Sequence, residues 1–117
     1  MKFHHDKHFN AYMTNLNAAL DGKDASSIVE LQKGAIKAGP AIRNNGGGYY
    51  NHGMFFEEMI SPSKSGKPSP ALAKAIDDSF GSMDAMKEKF NAAGAGRFGS
   101  GWAWLCADKD GKVSMAK

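Results

Sequence analysis

The sequence predicts an α+β fold, in which a helical hairpin precedes a shorter segment that contains a β-hairpin. Apolar residues recur at helical spacing through the first half of the 117-residue chain. Residues 61–70 are rich in proline, serine and lysine, which is typical of a linker. Two short helical patterns and an aromatic run follow, and the run leads to an Asp-Gly turn signal. We therefore expect a helical domain at residues 1–60 and a second domain at residues 71–117.

The first helix is predicted over residues 3–20. Its apolar stripe advances by three or four residues, as in an amphipathic helix, and consists of Phe9, Tyr12, Leu16 and Leu20. Residues 21–24 are expected to end the helix, because Gly22 tolerates the left-handed conformation that is common at helix ends.

The second helical segment is predicted to begin at Ser26 or Ser27 and to end at Gly39. Either serine can supply the N-cap, and Glu30 stands three residues after Ser27, which is the spacing of a capping box. The apolar positions that continue at helical spacing are Ile28, Leu31, Ala35 and Ile36.

Three consecutive glycines, at residues 46–48, leave the next segment open between a loop and a helix. Asn-Gly is typical of a loop, and each glycine inside a helix costs about 1 kcal/mol relative to alanine. The segment lacks the preceding strand and the Lys-Ser/Thr pair of a phosphate-binding loop. A helical face nevertheless continues beyond the glycines through His52, Phe55, Phe56 and Met59. We predict a helix that passes through the glycines, and we expect another element to approach them closely.

The second domain is predicted to contain two helices and a β-hairpin. One helix starts at Ala71 and another is capped by Ser82, with an apolar stripe of Met83, Met86 and Phe90 and with glycines at 94, 96 and 99 to end it. Residues 102–107 favour a strand, in which Trp102 and Trp104 share a face that we expect to be buried. Cys106 is expected to pack as a small apolar residue. Because it is the single cysteine, an intramolecular disulfide and a multi-cysteine zinc site are excluded.

Composition limits the classes of partner. With 15 Lys+Arg against 12 Asp+Glu, the formal charge of +3 is too small to indicate nucleic-acid binding, although it can help to attract a small anion. No apolar run is long enough for a transmembrane helix, and no signal-peptide pattern precedes the first helix. We expect neither a nucleic-acid nor a membrane partner, and a location in the cytoplasm or an organelle matrix.

The histidines are the candidates for chemistry. His4 and His8 share one face of the first helix, a spacing that fits metal ligation and a polar helix edge about equally well. His5 is expected to be solvated or to cap the helix. His52 stands on an apolar face, where an imidazole is either a hydrogen-bonded core residue or a ligand. A helical hairpin can bring His4 or His8 opposite His52, which is how bundle-type metal sites are built.

Four blocks of this sequence resemble the iron/manganese superoxide dismutase family. They are FHHDKH at residues 3–8 with Tyr12 and NLNAAL at 15–20; RNNGGGYYNH at 43–52; FGS at 80–82 with KEKF at 87–90; and RFGSGWAWL at 97–105. The resemblance implies an N-terminal antiparallel α-hairpin, followed by the start of a C-terminal α/β domain with a small antiparallel sheet.

The resemblance also implies a function and a site. The reaction is the disproportionation of superoxide to O₂ and hydrogen peroxide with one Mn or Fe ion per subunit, in a homodimer or tetramer. His4 and His52 correspond to metal ligands, and His8 and Tyr12 correspond to the substrate entrance, with Tyr12 in the proton relay. Phe56, Trp102 and Trp104 correspond to the aromatic shell, although Trp is more common in the family at the position of Phe56.

Two departures from the family qualify these expectations. The family completes its site with an Asp-x-Trp-x-x-His segment, which these 117 residues do not contain, and a lead segment before the first helix is also missing. We therefore expect a truncated sequence that is nearly inactive alone. Gly48 stands where many iron enzymes have glutamine, which favours manganese or a metal-tolerant enzyme. The alternatives are a non-catalytic hairpin that binds metal or a partner, and a structural fragment whose histidines are core residues.

Overall fold

The computed structural model describes residues 1–23, 25 and 27–117. These residues form two compact units, 1–64 and 65–117. The first contains a π-helical segment (His4–Phe9), α1 (Asn10–Leu20), α2 (Ile28–Lys33), α3 (Ala35–Ala38), α4 (Pro40–Glu57) and a 3-10 turn (Pro62–Lys64). The second contains α5 (Pro70–Phe80), α6 (Met83–Ala95), β1 (Trp104–Ala107) and β2 (Val113–Ala116). The mixture of helices with a two-stranded antiparallel sheet confirms the α+β class.

The first helical stretch has the predicted extent, but its beginning is π-helical where the sequence predicts an α-helix. The π-helical segment runs directly into α1, which ends at Asp21 in the left-handed region with φ of 51°. Gly22 follows with φ of 74°, as the turn requires. Asp24, the last residue of the predicted stop signal, lies outside the described residues.

The second helical segment is divided into α2 and α3 at Gly34, where one continuous helix was predicted. Ser27 caps α2, since its Oγ accepts a hydrogen bond from the Glu30 N–H at 3.1 Å. Ser26, the other candidate cap, lies outside the described residues. The break turns the apolar face, so that Ala35 is buried whereas Ile36 is 86% exposed. Ile36, which continues the apolar spacing in the sequence, therefore lies outside the buried core.

Helix α4 passes through all three consecutive glycines, as predicted. It begins at Pro40, which suits the first helical position because its missing N–H would have no partner there. Its main packing partner is α1, and the buried core of this unit consists of Leu16, Ala35 and Ile42. Because α4 ends at Glu57, Met59 lies beyond the helix and is exposed, so its predicted place on the apolar stripe was wrong.

Two serine caps begin the helices of the second unit. The Ser69 Oγ accepts from the Leu72 N–H and the Ser82 Oγ accepts from the Ala85 N–H. Ser82 confirms the predicted cap of α6, which continues through Gly94 and ends at Gly96. Helix α5 packs against α6 and β2 and carries the buried Ile76.

The predicted β-hairpin is present. Strands β1 and β2 pair antiparallel, from Trp104 opposite Ala116 to Ala107 opposite Val113. The turn is closed by the Asp108 carboxylate, which accepts hydrogen bonds from two backbone N–H groups, and by Gly111 with φ of 79°. Cys106 is exposed rather than packed, because it lies opposite Ser114, which is also exposed, in the two-stranded sheet.

None of the described helices combines the length and the apolar character that crossing a bilayer would need.

Candidate metal centre

Three histidines converge between the two long helices of the first unit. His4 and His8 lie on the π-helical segment, and His52 lies on α4. Each of the three histidines offers one ring nitrogen, and these three nitrogen atoms all lie within 4.8 Å of one another. The helical hairpin therefore assembles a cluster of nitrogen donors from residues 48 positions apart in sequence.

His4 and His8 lie four residues apart on the π-helical segment, so they share one face of it. Single π-helical turns are frequent at functional sites. The two rings have centroids 5.3 Å apart.

The orientation of the His52 ring is fixed by its own helix. Its Nδ1 lies 2.7 Å from the carbonyl oxygen of Gly48, and because a carbonyl only accepts, Nδ1 donates. In the neutral ring, Nε2 then carries the lone pair, and it lies 3.1 Å from Nε2 of His4. A backbone carbonyl that binds the second ring nitrogen is the usual support for a metal-binding histidine.

His52 is also held in the neutral form. Burial is the largest cause that lowers the pKa of its imidazole, and the charges of His4 and His8 lower it further. The hydrogen bond to Gly48 opposes this shift but does not reverse it. The side chain is only 4% exposed. A neutral imidazole is the form that binds a metal ion.

Tyr12 lies directly over Gly48. A Cβ atom at position 48 would overlap three carbon atoms of the Tyr12 ring, so only glycine allows this approach. The same ring lies 5.2 Å from that of His8 and 5.1 Å from that of His52. The expected close approach to the consecutive glycines is confirmed, and it brings a phenol next to the histidine cluster.

Aromatic rings surround the cluster within this unit. Phe56 and Phe55 lie 5.6 and 5.8 Å from the His4 ring. Phe9 lies nearly parallel to the His52 ring and stacks on Tyr49. Trp102 and Trp104 belong to the second unit, where they stack on each other with centroids 5.3 Å apart.

His5 does not belong to the cluster. It is exposed, as predicted, and its Nδ1 pairs with the Asp6 carboxylate at 2.9 Å. Its ring packs on Phe56. His5 therefore offers a matched control for each of the clustered histidines.

Sequence reasoning identified the side chains of the cluster but missed parts of its support. The π-helical segment has no recognisable side-chain pattern. The Gly48 carbonyl was detectable, because His52 follows Gly48 by four residues in one predicted helix. Phe9 appeared on the apolar stripe, but its contact with His52 depends on how the helices pack.

Family models match both parts of the chain. The α-hairpin domain of iron/manganese superoxide dismutases matches residues 1–60, and the C-terminal domain of the same family matches residues 68–117. The chain belongs to the iron/manganese superoxide dismutase family. The resemblance inferred from the four sequence blocks is thereby confirmed.

The names of the curated relatives specify either manganese or iron. A superoxide dismutase [Mn] of Acinetobacter baylyi is 48% identical over 98% of this chain and 52% of its own length. A superoxide dismutase [Mn] 1 of Leptolyngbya boryana is 47% identical over 98% of this chain and 49% of its own length. A superoxide dismutase [Fe] of Raoultella planticola is 49% identical over 93% of this chain and 67% of its own length. The chain thus spans about half the length of the two manganese relatives.

Proposed function

We propose that this chain contributes to a superoxide dismutase, in which superoxide is disproportionated to O₂ and hydrogen peroxide, and that His4 and His52 are metal ligands. The observation that carries the proposal is the 3.1 Å approach of the two Nε2 atoms, with Nδ1 of His52 occupied by Gly48. Relatives named superoxide dismutase [Mn] or [Fe] over nearly the whole chain support the same reaction.

The donor atoms fit a manganese or iron ion. Bonds between imidazole nitrogen and a divalent metal are about 2.0–2.1 Å long, so adjacent ligands of one ion lie roughly 3 Å apart. The measured separation of 3.1 Å meets this requirement. A bound manganese or iron ion would supply one-electron oxidation and reduction, which the reaction needs and a redox-inert ion cannot provide.

The residues around the ligands have separate proposed roles. Tyr12 and His8 line the approach of superoxide, and the Tyr12 hydroxyl holds and passes protons toward the reduced product. Their ring contact at 5.2 Å supports a shared role. Phe56 belongs to the aromatic shell that keeps water from the ligands, and its contact with His4 supports this. Trp102 and Trp104 remain predicted members of the same shell.

Two further parts of the proposal concern which metal is bound and how many subunits assemble. Gly48 favours manganese or a metal-tolerant enzyme, because the resemblance places glutamine at this position in many iron enzymes. A longer side chain here would also displace Tyr12. Relatives with either metal are nearly equally similar, at 48% and 49% identity. We also propose a homodimer or tetramer. The domain limits 1–60 and 71–117, with a linker between them, stay predictions.

The test uses the full product of the coding sequence that contains these residues. Purified protein is expected to hold manganese or iron and to consume superoxide, whereas His52→Ala should lose both properties and His5→Ala should keep them. A His52→Ala protein with wild-type metal content and activity would overturn the ligand assignment. Reading the same coding sequence also shows whether an Asp-x-Trp-x-x-His segment follows residue 117.

A further inference from the structure

Asn45 and Gly46 form the only Asn-Gly pair in the sequence. Such a pair is chemically labile, because glycine has no Cβ to hinder attack of its nitrogen on the asparagine side chain. We propose that Asn45 is a deamidation site of this chain, and that α4 sets the rate because the reaction requires the first half of this helix to open. Deamidation at this position is independent of the proposed reaction with superoxide.

The reaction needs no reagent other than water. The Gly46 nitrogen forms a bond to Cγ of Asn45, and ammonia leaves with the proton from that nitrogen, so that a succinimide ring results. Water then opens the ring at either of its carbonyl carbons. Position 45 becomes aspartate or isoaspartate, and in isoaspartate the main chain runs through the former side chain and is one carbon longer.

The folded helix keeps the two reacting groups occupied. Within α4, the Gly46 N–H points at the carbonyl oxygen of Ile42, four residues earlier. The Asn45 Nδ2 donates to the carbonyl oxygen of Ala41 at 2.9 Å, which directs the side chain toward the start of the helix and away from the Gly46 nitrogen. Ring closure therefore requires that the hydrogen bonds in this turn of α4 break.

The Gln32 side chain holds this part of α4 closed. Its amide donates to the Ile42 carbonyl oxygen at 3.2 Å, the same oxygen that the Gly46 N–H faces. It also lies against Gly46 on the side where a Cβ would project. Contacts of this kind determine how often a segment opens locally. Loss of the Gln32 hydrogen bond should increase the open population about fivefold, as the usual net contribution of one hydrogen bond implies.

Isoaspartate at position 45 is expected to disturb the packing of α4. The extra main-chain carbon precedes Gly46, which is buried and already in contact with Gln32. Gly48 follows two residues later and lies against the Tyr12 ring, with no room for a Cβ. We therefore expect the isoaspartate form to have a lower free energy of unfolding than the unmodified protein.

The first experiment measures conversion of Asn45 in the unsubstituted protein, so its outcome does not depend on whether a variant folds. The full product of the coding sequence is incubated at neutral pH in buffer and in denaturing urea, and peptide mapping by mass spectrometry quantifies aspartate and isoaspartate at position 45. Conversion should be at least about tenfold slower in buffer than in urea, because it has to wait for local opening. Equal rates would overturn the control by α4, and absence of conversion from either sample would overturn the site.

The second experiment tests whether local opening of α4 limits the rate. Gln32→Ala should accelerate conversion of Asn45 about fivefold in buffer and leave the rate in urea unchanged. Ser82→Ala is the matched control, because it removes the cap of α6 in the second unit and leaves the contacts of α4 intact. An unchanged rate in Gln32→Ala, or an equal acceleration in both variants, contradicts local opening of α4.

The third experiment separates the longer main chain from the new charge. The isoaspartate form is isolated by ion exchange and compared in urea unfolding with Asn45→Asp, which carries the same charge on a main chain of normal length. The isoaspartate form should unfold at a lower urea concentration than Asn45→Asp. Equal midpoints would contradict the expected disturbance of α4.

Discussion

His52 donates a hydrogen bond of 2.7 Å from Nδ1 to the carbonyl oxygen of Gly48, one turn earlier in the same helix. This contact fixes which nitrogen of His52 faces His4. Gly48 also lacks the Cβ that would collide with Tyr12. One glycine therefore orients a proposed ligand through its backbone and admits the proposed proton donor through its missing side chain.

Gly48→Ala is expected to destabilise the chain by up to about 2 kcal/mol. The new methyl group displaces the Tyr12 ring, and such overpacking costs about 1–3 kcal/mol, which the better helix propensity of alanine offsets by about 1 kcal/mol. Gly47→Ala is the matched control, because the nearest atom to its Cβ is 3.7 Å away. That variant should gain up to about 1 kcal/mol. Urea unfolding measures both, and equal stabilities would contradict the contact.

Tyr12→Ala is expected to remove the penalty of Gly48→Ala. The double variant leaves room for the new methyl group, so the cost of Gly48→Ala in the Tyr12→Ala background should fall to zero or change sign. The coupling in a double-mutant cycle should be about 1–3 kcal/mol. Additive effects of the two substitutions would show that the strain arises elsewhere.

Gln32→Ala is expected to cost about 1 kcal/mol, the usual net contribution of such a hydrogen bond. The Gln32 amide donates to the carbonyl oxygen of Ile42 at 3.2 Å and links α2 to α4. A Cβ at Gly46 would overlap the end of the same side chain. Gly46→Ala should therefore be better tolerated in the Gln32→Ala background, and urea unfolding of the four proteins tests this. A Gly46→Ala effect that is independent of Gln32 would be inconsistent with the contact.

Ser82→Ala is expected to destabilise α6 by about 1 kcal/mol, because the Ala85 N–H loses its acceptor. Ser82→Asp restores a capping oxygen and should keep most of the stability. Helicity and thermal unfolding of the two variants provide the measurement, and a Ser82→Ala protein as stable as Ser82→Asp would show that the cap contributes little.

Features of the fold that have a local chemical cause were predictable from the sequence. The cap at Ser27 follows from residues within one turn, and so does the β-hairpin turn at Gly111. The helix through the glycines was predictable because the apolar face continues beyond them to His52. The break at Gly34 and the exposure of Ile36 depend instead on how α2 and α3 pack against α4. No local sequence pattern predicts that packing.

In the candidate site, too, only the features with a local cause were predictable. Residue types and spacing placed His4 and His8 on one face, but left ligation and a polar helix edge equally open. The 3.1 Å contact with His52 depends on the axial register of α4 against the first helix, which is set by core packing at Leu16 and Ile42. The π-helical segment was not predictable, because its period differs too little from that of an α-helix over six residues.

Zn²⁺ is expected to stabilise the 117-residue chain, and the effect should require His52. A ligand that binds only the folded state adds about 2.7 kcal/mol at a free concentration of 100 times its Kd. Thermal unfolding with increasing Zn²⁺ should therefore show a rising Tm for the wild-type chain and for His5→Ala. His52→Ala should show little or no rise, because it removes the donor that Gly48 orients. An equal rise in His52→Ala would mean that the ion binds outside the histidine cluster.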